Sequence, residues 1–311
     1  VRYKNFLKSM IRYNYNHYKK KFIVLQYCMP CDYCSFFITF SDWVHMQCLV
    51  ILHHVSAPTI EIMRDIKDFL KQKQHVLDVG FAVIEHIYSN EEVNSILNAI
   101  HNADTSKPTF RKTTDLFAIR QFLREIPEVL ALIFTDNLKK IIRDIIGDNF
   151  FVVKSIYFDK PENSNWYVSY HQDLTISVDK KLEIENFGPW TTKQNQYAVQ
   201  PTIDLLENMM TIRIHLDDTD EHNGALKVIP KSHSKGIYRP ETINWDDEVE
   251  TICSVKRGGI MLMKPLLLHS SNRTTNNKKR RVIHIEFSNL ELPIELKWSE
   301  RINLTSYRHW R

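Results

Sequence analysis

His171-Gln172-Asp173 sets an imidazole and a carboxylate two residues apart, and His269 and Arg280 follow after a long interval. In an extended strand successive side chains alternate faces, so His171 and Asp173 can grip one ion together while Gln172 points elsewhere. Two imidazoles and one carboxylate on one side of a metal, with the remaining positions open, suit non-heme Fe(II) oxygen chemistry. His269 is the candidate third ligand. A bare His-x-Asp recurs by chance in many chains, where it marks a solvated strand end, so its surroundings must carry the assignment.

Those surroundings read as strands. Trp166 to Thr175 (WYVSYHQDLT) alternates aromatic and polar residues, which predicts a strand with the His-Asp pair in its middle. Ile260 to His269 (IMLMKPLLLH) is an apolar run ending in a metal-competent side chain where a turn residue is usual. A third run, Arg280 to Phe287 (RRVIHIEF), is β-branched and opens on two arginines. An arginine fork matches a carboxylate with two parallel charge-assisted hydrogen bonds, the anchor that a 2-oxo-acid co-substrate needs for its far carboxylate. Arg280 and Arg281 must face opposite sides of the strand. Periodicity leaves the choice open, because Val282 and Ile283 are both apolar.

Upstream the pattern is helical. Thr59 can cap a helix with Ile62, Met63, Ile66, Phe69 and Leu70 at helical spacing. A short strand at Phe81 to Ile84 follows, and then Ser89 and Glu92 form a capping box ahead of Val93, Ile96, Leu97 and Ile100. Asp136 opens a further helix carrying Leu138, Ile141, Ile142, Ile145 and Ile146, and Gly147 stops it. After Asn149 strands are expected over 150–158, 166–175, 209–216, 225–229, 250–254, 260–268 and 281–287. Helices first and strands later argue for an α+β layout with N-terminal helices packed against the sheet, and the strands suit a double-stranded β-helix, or jelly roll.

Taken together, these residues resemble the phytanoyl-CoA dioxygenase family of Fe(II)/2-oxoglutarate-dependent oxygenases. The resemblance runs from about Ile60 to Trp298. It is densest in FDKPENSNW (158–166), YHQDLTISV (170–178), GPWTTK (188–193), IRIHLDDTDEHNGALKVIPKSH (212–233) and LLLHSSNRTTNNKKRRVIHIEF (266–287). It implies a jelly-roll fold, metal ligation by His171, Asp173 and His269, and a 2-oxoglutarate arginine at Arg280, eleven residues past the distal histidine. Arg213, with Thr211 on the same face, falls on a co-substrate-proximal strand position. The stretch that usually reads HVQPP appears as Tyr197-Ala198-Val199-Gln200-Pro201-Thr202, without the histidine, a departure that touches substrate contacts rather than the metal. The activity implied is hydroxylation of a small organic substrate with Fe(2+), 2-oxoglutarate and O2, which releases succinate and CO2. Two rivals are a non-oxidative cupin-like metal enzyme, which has no need of Arg280, and a non-catalytic jelly-roll binding protein. Halogenation is disfavoured, since a halide would need the position that Asp173 takes.

Composition bounds what remains. The chain has 311 residues, 43% hydrophobic and 25% charged, and a net charge of +4. Residues 1–57 hold seven Lys/Arg against Asp32 and Asp42, so the rest carries 34 basic and 35 acidic side chains and makes no electrostatic claim on nucleic acid. That leader also has Cys28, Cys31, Cys34 and Cys48 and none of the seven glycines, and is read as an atypical segment ahead of an oxygenase-like domain over 58–311. Its cysteines lack a recognised zinc spacing. Phe36 to Val55 is too interrupted for a membrane span. A single cysteine in the regular domain, Cys253, favours a reducing, cytoplasmic setting. Cys253 itself, His233 and His284 read as packing or hydrogen-bonding groups, the 217–221 acidic cluster as a solvated hairpin loop before Asn223-Gly224, and Trp166, Trp190 and 179–192 as a lid or as aromatic packing.

Overall fold

The computed structural model describes residues 70–304, apart from breaks at 105, 115–116 and 194–195, and three two-residue strands before them. The chain divides into two compact units, Val1–Asp65 and Ile66–Arg311. In the first, β1 (Tyr13–Asn14), β2 (Phe22–Ile23) and β3 (Ile38–Thr39) pair antiparallel in that order. The expected leader cysteines and the helix start at Thr59 lie outside the described residues.

The second unit begins with helix α1 (70–79), in which Leu70 is exposed. After β4 (Phe81–Ile84), α2 (Asn90–His101) starts on the expected capping box: the Ser89 hydroxyl accepts from Glu92 N at 3.2 Å, and the Glu92 carboxylate accepts from Ser89 N at 2.8 Å. Short helices α3 (Phe122–Glu125), α4 (Val129–Ile133) and α5 (Asp136–Ile141) follow, the last capped by Thr135 one residue before the expected start. α5 then widens into a π-turn over Ile142–Ile146, which keeps Ile142, Ile145 and Ile146 buried, and Gly147 ends it at φ 129°.

Two antiparallel sheets make the jelly roll. The larger runs β4-β15-β12-β17-β7-β6-β5, with β5 Phe110–Lys112, β6 Phe117–Arg120, β7 Phe151–Lys160, β12 Met210–His215, β15 Ile260–Met263 and β17 Arg280–Ser288. The smaller runs β14-β13-β16-β8, with β8 Val168–His171, β13 Leu226–Val228, β14 Thr251–Cys253 and β16 His269–Ser271. A third sheet of β9 (Ile176–Val178), β10 (Trp190–Lys193) and β11 (Gln196–Val199) lies alongside in the order β10-β11-β9, and α6 (Ile203–Glu207) leads into β12. Trp190, considered for a lid, starts β10 and packs on the cluster of Ile176, Val178 and Val199.

Alternation along the large sheet separates two chemistries. Ile212 and Ile214 of β12, Ile260 and Leu262 of β15, and Ile283, Ile285 and Phe287 of β17 share one apolar cluster with Val93, Ile96, Ile133 and Leu138 of the helices. The opposite face carries Thr211, Arg213 and His215 on β12 and Arg280, His284 and Glu286 on β17, all buried. Met261 and Met263 of β15 turn inward onto Leu226, Val228 and Cys253 of the smaller sheet, which ties the two layers together.

Three expectations need correction. The strand of the His-Asp pair ends at His171, so Asp173 lies beyond it, held by its N–H donating to Pro265 O at 2.9 Å. The apolar run 260–268 is not one strand: Pro265 has no N–H for a ladder, β15 stops at Met263, and His269 opens a new strand in the other sheet. The 217–221 cluster is solvated at Asp218 and Glu221 but is a crossover between sheets, not a hairpin, and in it Asp217 binds Arg281 through Nε at 2.8 Å and Nη2 at 2.6 Å. Truncating the fully buried Phe287 to Ala removes contacts between sheet and helices and should cost about 3–5 kcal/mol of stability in urea unfolding.

Candidate metal centre and co-substrate site

The smaller sheet brings the two histidines together. β8 and β16 pair antiparallel with His171 directly opposite His269, and the rings lie 4.3 Å apart between centroids. Each ring spends Nδ1 on the carbonyl two residues earlier, His171 on Ser169 O at 2.9 Å and His269 on Leu267 O at 2.8 Å. A carbonyl can only accept, so Nδ1 carries the proton in both rings and Nε2 presents a lone pair. Both Nε2 atoms face Asp173, at 3.8 Å from Oδ1 for His171 and 3.9 Å from Oδ2 for His269. Donors that share one ion, each about 2.1 Å from it, stand no more than about 4.2 Å apart, which both histidine–carboxylate distances meet, and all three donors lie within 4.8 Å of one another.

Asp173 is fixed from behind. Gln172 points the other way, as alternation requires, donating to Gly236 O at 2.8 Å and Leu266 O at 2.6 Å and accepting from Tyr238 N at 2.8 Å. Asp173 Oδ2 is buried without a hydrogen-bond partner. Burial opposes its charge, yet His269, His284, His171 and Lys154 outweigh that and hold the carboxyl below the usual range. For His269, burial dominates and pushes the imidazole down to about 4, against the pull of Asp173. At neutral pH it is therefore neutral, the form a metal would need.

A second group, Asp173, His284 and Glu286, also lies within metal-binding reach. Its histidine is already committed at both nitrogens: Arg213 Nη1 lies 3.1 Å from Nδ1, and Nε2 lies 3.0 Å from Glu286 Oε1. Since guanidinium only donates, Nδ1 accepts and the Nε2 proton goes to Glu286, leaving no lone pair for an ion. Glu286 is further held by Lys154 at 2.8 Å. His284 is thus a hydrogen-bonded histidine, and its partners line the interior.

Arg280 and Arg281 take opposite roles. Arg281 turns out to Asp217, its backbone N donating to Oδ2 at 2.9 Å beside the two side-chain bonds. Arg280 turns in, 2% exposed, where Nη1 donates to Gly224 O and Nε has no partner. Burial, with Arg213 nearby, pushes its guanidinium down to about 9, so it stays charged at neutral pH. Arg213 is likewise buried and pushed down to about 10, with Nε unpartnered; Thr211 Oγ1 and His215 Nε2 on the same face are unpartnered too. Unpaired buried donors such as the Nε groups of Arg280 and Arg213 and the Thr211 hydroxyl are costly, and a ligand of acceptor oxygens would satisfy them. Lys160 carries no motif of its own, although Lys154 and Lys160 recur at even positions of β7 and Arg280, His284 and Glu286 at even positions of β17. That alternation was the available signal.

Elsewhere the expected structural roles hold. His233 Nε2 donates to Leu77 O at 3.0 Å, and Cys253 is buried on β14 with its thiol pushed up to about 12 by burial. No helix among the described residues is long and apolar enough to cross a membrane. Asp173→Ala should abolish stoichiometric Fe(II) binding in anaerobic metal analysis while leaving the far-ultraviolet circular dichroism unchanged, because it removes the anionic donor between the two imidazoles.

The phytanoyl-CoA dioxygenase (PhyH) profile matches residues 77–282. A probable alpha-ketoglutarate-dependent hypophosphite dioxygenase of Stutzerimonas stutzeri is 22% identical over 251 residues, spanning 71% of this chain and 78% of that protein. Among solved structures, EctD of S. alaskensis in its apo form superposes with a TM-score of 0.56 at 17% identity, over 75% of this chain and 85% of that one. HygX of Streptomyces hygroscopicus, solved with nickel and 2-oxoglutarate, gives 0.50 at 14% identity, over 70% and 86%. These structural likenesses speak for the jelly-roll fold, and the profile match covers most of the chain. With the His171, Asp173 and His269 cluster at its centre, the chain belongs to the phytanoyl-CoA dioxygenase family of iron- and 2-oxoglutarate-dependent oxygenases.

Proposed function

We propose that this site hydroxylates a small organic substrate while converting 2-oxoglutarate to succinate and CO2. The observation that carries the reading is the pairing of two free Nε2 atoms on one carboxylate with a buried arginine that has no carboxylate partner among the described residues. Iron(II), bound there with the 2-oxo acid, would supply the O2 activation on which hydroxylation depends. His171, Asp173 and His269 would hold the ion on one side. Ser169 and Leu267 carbonyls keep the rings in the ligating tautomer, and Gln172 keeps Asp173 aimed. Arg280 would take the far carboxylate of 2-oxoglutarate, which sets the keto end against the metal. Arg213 and Thr211 offer further donors on the neighbouring strand.

A cupin-like metal enzyme without a 2-oxo acid leaves Arg280 with no purpose, and burying a guanidinium without a counter-ion is expensive. The test is an anaerobic titration of the Fe(II)-loaded protein with 2-oxoglutarate. A visible charge-transfer band should grow as the keto acid chelates iron; folded, iron-bound protein that gives no band would overturn the reading. In the same titration Arg280→Ala should weaken 2-oxoglutarate binding by about ten- to a hundredfold, the loss of a charge-assisted bond of about 1.5–3 kcal/mol.

A further inference from the structure

Directly opposite Arg280 in the β17–β7 ladder stands Lys160. Like charges placed face to face across strands repel, and here both are buried, Lys160 at 0% and Arg280 at 2% exposure. Among the described residues neither has a carboxylate partner: Lys160 Nζ donates to Asn272 O, and Arg280 Nη1 to Gly224 O. The two cations converge on one spot. An added Cβ at Gly224 would sit 2.7 Å from Lys160 Nζ, and the carbonyl of that same glycine receives Arg280 and, at 2.9 Å, Ser271 Oγ. Two adjacent buried cations with only carbonyls to donate to are unstable without an anion.

We infer that Lys160 and Arg280 form a two-cation clamp for the distal carboxylate of the 2-oxo acid. This rests on the reading of the site as 2-oxoglutarate-dependent. Each cation would donate to the carboxylate, and their mutual repulsion, uncompensated in the free protein, would become attraction to a shared anion. Burial first and Arg280 second push the Lys160 ammonium down to about 7. The titratable group facing it is Arg280 of β17. Gly224 and the Ser271-Asn272 segment add a carbonyl and a hydroxyl, and Trp166 its ring, 6.0 Å from Nζ. Arg280 in turn faces Arg213 and His215 of β12, the latter held neutral by burial. The free protein therefore loses the Lys160 proton as pH rises through about 7, while the bound carboxylate restores it. Co-substrate affinity should be highest below that pH and fall above it.

The experiment is anaerobic calorimetry of the Fe(II)-loaded protein with 2-oxoglutarate and with pyruvate, which keeps the chelating end but lacks the distal carboxylate. In Lys160→Met the dissociation constant for 2-oxoglutarate should rise about tenfold or more while that for pyruvate stays within about twofold. In the unaltered protein 2-oxoglutarate should bind about tenfold more weakly at pH 8.5 than at pH 6.5, with pyruvate far less affected, a readout that needs no variant to fold. Equal 2-oxoglutarate affinity in Lys160→Met, or equal losses for both acids, would overturn the clamp. Failure of the unaltered protein to bind either acid would instead overturn the reading of the site on which the clamp rests.

Discussion

Buried cations inside the jelly roll set the terms for everything around them. Arg213, Arg280 and Lys160 are out of water without carboxylates of their own among the described residues, while Lys154 is matched by Glu286. Removing an ion from water costs several kcal/mol even after relaxation, and a fold tolerates it when partners are supplied. The partners missing here are anionic oxygens, and 2-oxoglutarate would bring two carboxylates to this space. The interior is stable as a binding site rather than as a core.

That interior depends on the apolar face behind it. Because strand residues alternate, Arg213 on β12 sits between Ile212 and Ile214, and His284 on β17 between Ile283 and Ile285, all four pointing to the helices. The helices contribute no chemistry to the site. They bury the outer face and hold the ladder in register, and register decides whether Arg280 or Arg281 points inward: a slip of one residue would put Asp217's partner inside and Arg280, the proposed co-substrate anchor, outside.

Much of the centre was legible in the chain. The two-residue spacing of His171 and Asp173 points to a candidate ligand pair, the family resemblance adds His269 and Arg280, and the structure brings the first three together. What the sequence could not show is that His171 and His269 are cross-strand neighbours, since that pairing joins segments almost a hundred residues apart through a sheet order no local pattern encodes. Nor could periodicity separate the two arginines; the distinction lies in Asp217, distant in sequence, which neutralises one and leaves the other unpaired. Pro265 carries the missing signal: it cannot donate in a central strand, so the run 260–268 breaks before His269. His284 read as a hydrogen-bonding histidine and is one, but its ties to Arg213 and Glu286 make it part of the charged interior.

The central claim is that the tautomers chosen by backbone carbonyls place the metal on His171, Asp173 and His269 and not on the neighbouring acidic pair. Iron-edge anomalous diffraction from crystals grown anaerobically with Fe(II) and 2-oxoglutarate tests it directly. The account predicts a single strong peak bound by the Nε2 atoms of His171 and His269 and by Asp173, with the far carboxylate of the co-substrate on Arg280. A peak between Asp173, His284 and Glu286, or a 2-oxoglutarate carboxylate remote from Arg280, would contradict it.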